Sequence, residues 1–230
     1  MKVLAIILAI LAFLVCLVIG IQAGSSWSRQ SQAGNNSAAS SLPAGTQRTV
    51  LLIQADDLTS ANPRLIHLYF LLYLPQHTAF TYVAVYPDAG SRFSKEAAKL
   101  EQAFSITEDG TPSHAFLDAL RTYQLTWNGY ILVDESGTTS LLDYIFRGGS
   151  DQIQRATQSA LTAEQQDPEG LVADICDHLN SSSHSIDWNQ AFSKLIPDHL
   201  HTDLGYEMIM ADWKAMLAAN ETFTCKLIRP

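Results

Sequence analysis

The chain has 230 residues, a formal net charge of −9 and 16% charged side chains. Its 14 lysines and arginines form no basic cluster among 23 acids, which argues against nucleic acid as a partner. No internal repeat is visible, and the length beyond the amino terminus suits one domain of ordinary size.

After Lys2, residues 3–22 carry no charge and are nearly all Val, Ile, Leu, Ala and Phe. About 20 apolar residues span a bilayer core, whereas the apolar region of a cleavable signal peptide is usually roughly 7–15 residues long. The length predicts a transmembrane signal anchor over residues 1–23, although Ile21-Gln22-Ala23 also reads as a cleavage site. In either case the rest of the chain crosses the membrane. The expected location is the plasma membrane, spanned once, with the carboxy-terminal domain outside the cytoplasm. The flank Met1-Lys2 gives a thin positive-inside signal. Residues 24–47 are rich in Ser, Gly, Ala and Asn and bury too little apolar surface to offset chain entropy, so they predict a flexible linker. Residues 48–230 form the extracytoplasmic domain.

Residues 49–55 are a short, nearly continuous apolar run, the pattern of a strand covered on both faces. Residues 64–74 and 80–86 are aromatic and β-branched and flank a turn-rich link, a hairpin signal. Ser94 can cap a helix with Ala97, Leu100 and Phe104 on one face. Thr111-Pro112 places a cap residue before a proline at a first helical position, ahead of Phe116, Leu120 and Tyr123. Residues 130–133 predict a second buried strand, and Asp134-Glu135-Ser136-Gly137 a turn into a helix stopped by Gly148-Gly149. Helices follow around residues 171–179 and 188–196, then one from a Thr202 cap to about residue 217; residues 222–228 alternate as a last strand. Strands and helices alternate, which predicts a three-layer α/β/α domain with a mixed central sheet.

Asp56 and Asp57 end the first strand, where ligands of such sheets bind. Paired acids there suit a metal or phosphate site, or an ordinary turn, since Asp and Asn bond their own backbone. His67, inside an apolar strand, reads as a core histidine. The carboxy-terminal histidines lack the i, i+4 spacing of a helical zinc site, and no Gly-x-Ser-x-Gly elbow occurs. Cys176 and Cys225 lie outside the apolar segment. An exported pair predicts one disulfide; the alternative, from their apolar neighbours, is two buried thiols.

The layout resembles the LytR-CpsA-Psr family, membrane-anchored proteins of the bacterial envelope. That family has a strand ending Gly-Ser-Asp, then Arg-Ser-Asp, an Asn-Pro turn, and a strand ending Pro-Arg-Asp. Here residues 49–56 fit the first segment, Arg64 the arginine of the second, Leu74-Pro75 the turn and Tyr86-Pro87-Asp88 the last. Residues 127–137, Phe146-Arg147-Gly148-Gly149 and His201-Thr202-Asp203-Leu204 are similar to later family segments. The resemblance implies a phosphotransferase that moves a glycopolymer from a polyprenyl-pyrophosphate carrier onto peptidoglycan. It implies magnesium held by Asp56 and Asp57, catalytic roles for Asp56, Arg64 and Asp88, and substrate contacts from Arg92 and Arg147. The aromatic run Tyr69, Phe70 and Tyr73 is expected to be ordinary core; the resemblance offers a lipid-chain pocket as the alternative.

The departures from the pattern bear on activity. Ile66 replaces the second acid, no arginine separates Pro87 from Asp88, and Glu164-Gln165-Gln166 stands where an arginine-led helix is expected. A pyrophosphate ester needs cations, and arginine's planar fork matches phosphate oxygens. The expectation is therefore a divergent envelope protein that binds a polyprenyl-linked glycopolymer or lipid carrier with its transferase activity impaired or lost. The alternatives are an active transferase with a rearranged site and a non-enzymatic module binding a protein through its acidic surface.

Overall fold

A computed structural model describes residues 46–87, 94–121, 126–145, 168–182 and 188–229, all within the unit Ala39–Pro230. The strands are β1 (Arg48–Ala55), β2 (Leu65–Tyr73), β3 (Ala79–Tyr86), β4 (Gly129–Asp134), β5 (Leu200–Thr202) and β6 (Thr224–Ile228). They form one mixed sheet in the order β5-β4-β1-β2-β3-β6. β1 lies inside the sheet, antiparallel to β2 and parallel to β4, which is why its sequence is apolar without alternation. β3 pairs with β2 antiparallel and with β6 parallel, and β5 is antiparallel to β4.

The helices are α1 (Ser94–Ala103), α2 (His114–Leu120), α3 (Glu135–Ile145), α4 (Pro168–Ser182), α5 (Trp188–Leu195) and α6 (Tyr206–Ala219). One core joins Leu51, Ile53, Leu68, Phe70 and Leu132 of the strands to Leu100 of α1 and Phe116 and Leu120 of α2. Phe104 and Phe116 meet edge to face at 5.0 Å. A second cluster joins Phe80 and Phe223 to Cys176 and Leu179 of α4 and Met216 of α6. A third joins Phe192 and Leu195 of α5 to Leu200 of β5. A disulfide between Cys176 and Cys225 ties α4 to β6. The Asn180 side chain reinforces that tie: it donates to the Phe223 carbonyl at 3.0 Å and accepts from the Phe223 amide at 2.6 Å.

Two expected helix caps lie elsewhere. Ser113, not Thr111, caps α2, its hydroxyl accepting from Phe116 N at 3.3 Å, while Pro112 bridges to Ile106. Thr111 is spent within its own turn, bonded to Thr107. Thr202 belongs to β5 and α6 begins after Gly205, because the Thr202 hydroxyl already donates to Tyr130 O and accepts from Leu204 N. The turn expected before α3 is absent: the helix starts at Glu135, directly off β4. Residues 3–22 lie outside the described residues, among which no helix is long and apolar enough to cross a membrane.

Candidate functional site

The parallel strands β1 and β4 end at the same edge, since Ala55 is in register with Asp134. Each strand end carries two acids, Asp56-Asp57 on one and Asp134-Glu135 on the other.

Asp56 and Arg64 close the neck of the β1–β2 loop. The Asp56 amide donates to the Arg64 carbonyl at 3.1 Å. Asp56 Oδ1 accepts from the amides of Arg64 at 2.7 Å and Asp57 at 2.8 Å, and Oδ2 accepts from Arg64 Nε at 2.8 Å. Partial burial pushes the Asp56 carboxyl up, but the Arg64 hydrogen bonds and charge outweigh it and hold the group below its ordinary value. Asp57 turns back on its own loop. Its Oδ1 accepts from both the Thr59 hydroxyl at 2.6 Å and the Thr59 amide at 2.8 Å, which lowers its carboxyl.

Beside them stands a pair absent from the sequence expectations. Asp134 is 2% exposed. Its Oδ1 accepts from the Gly137 amide at 2.6 Å, and its Oδ2 lies 2.8 Å from His199 Nδ1. The Asp134 amide donates to the His199 carbonyl at 3.3 Å. A Cβ on Gly137 would sit 2.5 Å from that carbonyl, so glycine is what lets residues 196–199 approach the first turn of α3. The bond to Asp134 raises His199, burial works against this, and the charges of Asp134, Asp198 and Asp57 add to the rise. Asp134 and His199 are 65 residues apart, and only the second acid pair at a strand end signalled them in the sequence.

The expected magnesium ligands are engaged within their own loop. Magnesium needs open oxygen lone pairs in near-octahedral array. Three N–H groups, one of them from a guanidinium, bond the Asp56 carboxylate, and Thr59 holds Oδ1 of Asp57. Among the described residues no group of three or more His, Cys, Asp or Glu converges as a metal site. Asp88, Arg92, Arg147 and Glu164-Gln165-Gln166 lie outside the described residues.

The aromatic run does not line one pocket. Phe70 is fully buried in the core, Tyr69 stacks on His67, and the Tyr73 hydroxyl donates to Asp212. His67 is a core histidine, its Nδ1 2.8 Å from Gln54 Oε1. A cavity of about 390 Å³ opens at the other end of the sheet, among Gln47, Tyr73, His77 and Thr222. The length of β1 puts it roughly 25 Å from Asp56.

No known family profile matches the sequence, and no curated protein does. Solved structures do match. TagV of B. subtilis aligns with a TM-score of 0.52 and 11% identity, covering 81% of this chain and 85% of that one. Protein gbs0355 of Streptococcus agalactiae aligns with a TM-score of 0.50 and 9% identity, covering 80% and 77%. At such identity the likeness is one of fold. TagV is a LytR-CpsA-Psr protein, and the fold of this chain, a mixed sheet with packed helices, is LytR-CpsA-Psr-like.

Proposed function

We propose that this chain is a divergent LytR-CpsA-Psr-like envelope protein. A three-layer α/β/α scaffold, held at the outer face of the plasma membrane by residues 3–22, binds a polyprenyl-linked glycopolymer or its lipid carrier and transfers it poorly or not at all. The observation that carries this reading is the closed Asp56–Arg64 clamp. Phosphoryl transfer is catalysed almost wholly by positioning and by cations that neutralise charge developing on the phosphoryl oxygens. Here the arginine nearest the strand end is committed to a carboxylate, and three N–H donors already compete with magnesium for that carboxylate. Loss of one critical arginine costs on the order of 10³-fold in related chemistry. The exposed side of Arg64 still allows binding, because its side chain is 79% exposed.

The test uses the full-length protein in phospholipid nanodiscs with a radiolabelled polyprenyl-pyrophosphoryl glycopolymer and peptidoglycan, with and without magnesium. The expected result is retention of the labelled lipid without transfer. Transfer that requires magnesium and is lost in Asp56→Ala and Arg64→Ala would show a working enzyme, the active alternative. No retention of lipid would remove the ligand from the reading.

A second reading, a module that binds a protein through its acidic surface, is favoured by one observation. In the layer beneath α1 and α2, Phe70, Leu100, Phe116 and Leu120 are each at most 1% exposed, so these side chains close on one another. A lipid chain cannot enter between groups packed at crystalline density. Failure to retain the labelled lipid, with capture of an envelope protein by the wild-type domain, would favour this reading.

A further inference from the structure

The β1–β4 edge carries a guanidinium and an imidazole, each fixed from behind by a carboxylate. Arg64 gives its Nε to Asp56. His199 is held more firmly. Its ring nitrogen Nδ1 meets the buried Asp134, its amide donates to the Leu195 carbonyl at 2.8 Å, and its carbonyl accepts from the Asp134 amide. A carboxylate at Nδ1 accepts the hydrogen bond of the N–H there and leaves Nε2 as the position not held by it. The His199 side chain is 41% exposed. The register of Ala55 with Asp134 brings the two carboxylate–cation pairs to neighbouring strand ends.

We propose that Arg64, oriented by Asp56, and His199, oriented by Asp134, together form the contact for a phosphate group of the carrier, with His199 engaged as the imidazolium. This rests on the function proposed above and adds a second cation, one that the arginine-poor sequence does not reveal. Charge-assisted hydrogen bonds from guanidinium and imidazolium to phosphate are about twice as strong as neutral ones. The other charges at the edge work against an anion. Asp134 faces His199 from β4, Asp57 from the β1–β2 loop and Asp198 from its own turn, while Glu135 of α3 faces Arg64. With neutral His199 these acids outnumber the one remaining cation, and a phosphate is repelled. Protonation adds a second cation at the contact itself, where it offsets part of that repulsion, and the same acids raise His199 above its ordinary value. Binding therefore strengthens as pH falls through the raised His199 value.

The test titrates the full-length chain in phosphatidylcholine nanodiscs, by calorimetry, at about pH 5.5 and about pH 8.5. The probes are inorganic pyrophosphate and, in a separate arm, nanodiscs doped with a polyprenyl phosphate. Ring signals of ¹⁵N-histidine-labelled protein follow Nε2. Wild-type affinity is expected to rise about tenfold or more at the lower pH. His199→Asn should abolish most of that rise, whereas Arg64→Gln should weaken binding at both pH values. An equal rise in His199→Asn, which would come from the phosphate's own ionisation, overturns the inference. So does a wild-type Nε2 signal that does not move on saturation, and this readout holds even where the variant fails to fold. Binding of pyrophosphate that depends on His199, without binding of polyprenyl phosphate, upholds the phosphate contact and overturns the carrier. Polyprenyl phosphate bound equally well by His199→Asn does the reverse, and no binding of either probe overturns both.

Discussion

Replacing Asp212 by alanine tests the buried end of β1. The Arg48 and Asp212 side chains are 7% and 8% exposed, with Nε and Oδ2 3.2 Å apart. The Tyr73 hydroxyl donates to the same Oδ2 at 3.0 Å. Burial, and then the Asp212 charge, push the Tyr73 phenol well above its usual range, which keeps it a donor. At 3.2 Å and an effective dielectric near 20, the attraction is about 5 kcal/mol. Desolvation of the two ions offsets several kcal/mol each, so the pair adds little over an apolar replacement. Removing one partner is different. Asp212→Ala leaves a buried guanidinium uncompensated, next to an Nη1 that has no hydrogen-bond partner among the described residues. The expected cost is about 3–5 kcal/mol, much of a domain's usual stability. Urea unfolding followed by tryptophan fluorescence measures it, with the slope checked for constancy. The double variant Arg48→Met/Asp212→Leu is expected to lie within about 1 kcal/mol of wild type. A loss below about 1 kcal/mol in Asp212→Ala, or a double variant as unstable as the single, would refute the argument from uncompensated charge.

Asp56→Asn, which weakens the loop clamp, is expected to cost about 1–2 kcal/mol in the same assay, a range discounted for the exposure of Arg64. Because the folded Asp56 value is lowered, that contribution is present above the unfolded value and lost as pH falls through the folded one; acid titration of the variant should lack this component. For His199 the sign reverses. Its folded value is raised, so its stabilisation is full below the unfolded value and fades as pH rises through the folded one; wild type should lose urea resistance as pH rises above the ordinary histidine value, and His199→Gln should not. Cys176→Ala/Cys225→Ala opens a cross-link with a sequence separation of 49 residues. Loop entropy puts the loss at about 4 kcal/mol, and a thermal midpoint unchanged from wild type would contradict it.

Local chemistry made most of the elements readable. A nearly continuous apolar run marked β1, aromatic and β-branched runs marked the β2–β3 hairpin, and helical spacing put Ala97, Leu100 and Phe104 on one buried face. β5 was not readable, because three residues carry no period; Leu200–Thr202 is a strand only by pairing with β4. The same pairing took the Thr202 hydroxyl away from the helix it was expected to cap. Half of the site was readable too. Asp56 and Arg64 are eight residues apart on one loop, close enough for turn chemistry to link them.

The sequence by itself determined where most strands and helices form, β5 excepted, since those preferences depend on neighbours along the chain, and its composition shows a chain that is acidic and poor in arginine. Only the tertiary structure decided the strand order, the placing of β4 beside β1, and the meeting of Asp134 with His199. The physical reason is that a hydrogen bond between residues 65 positions apart exists only once the sheet has brought two strand ends together, and no local preference encodes that distance.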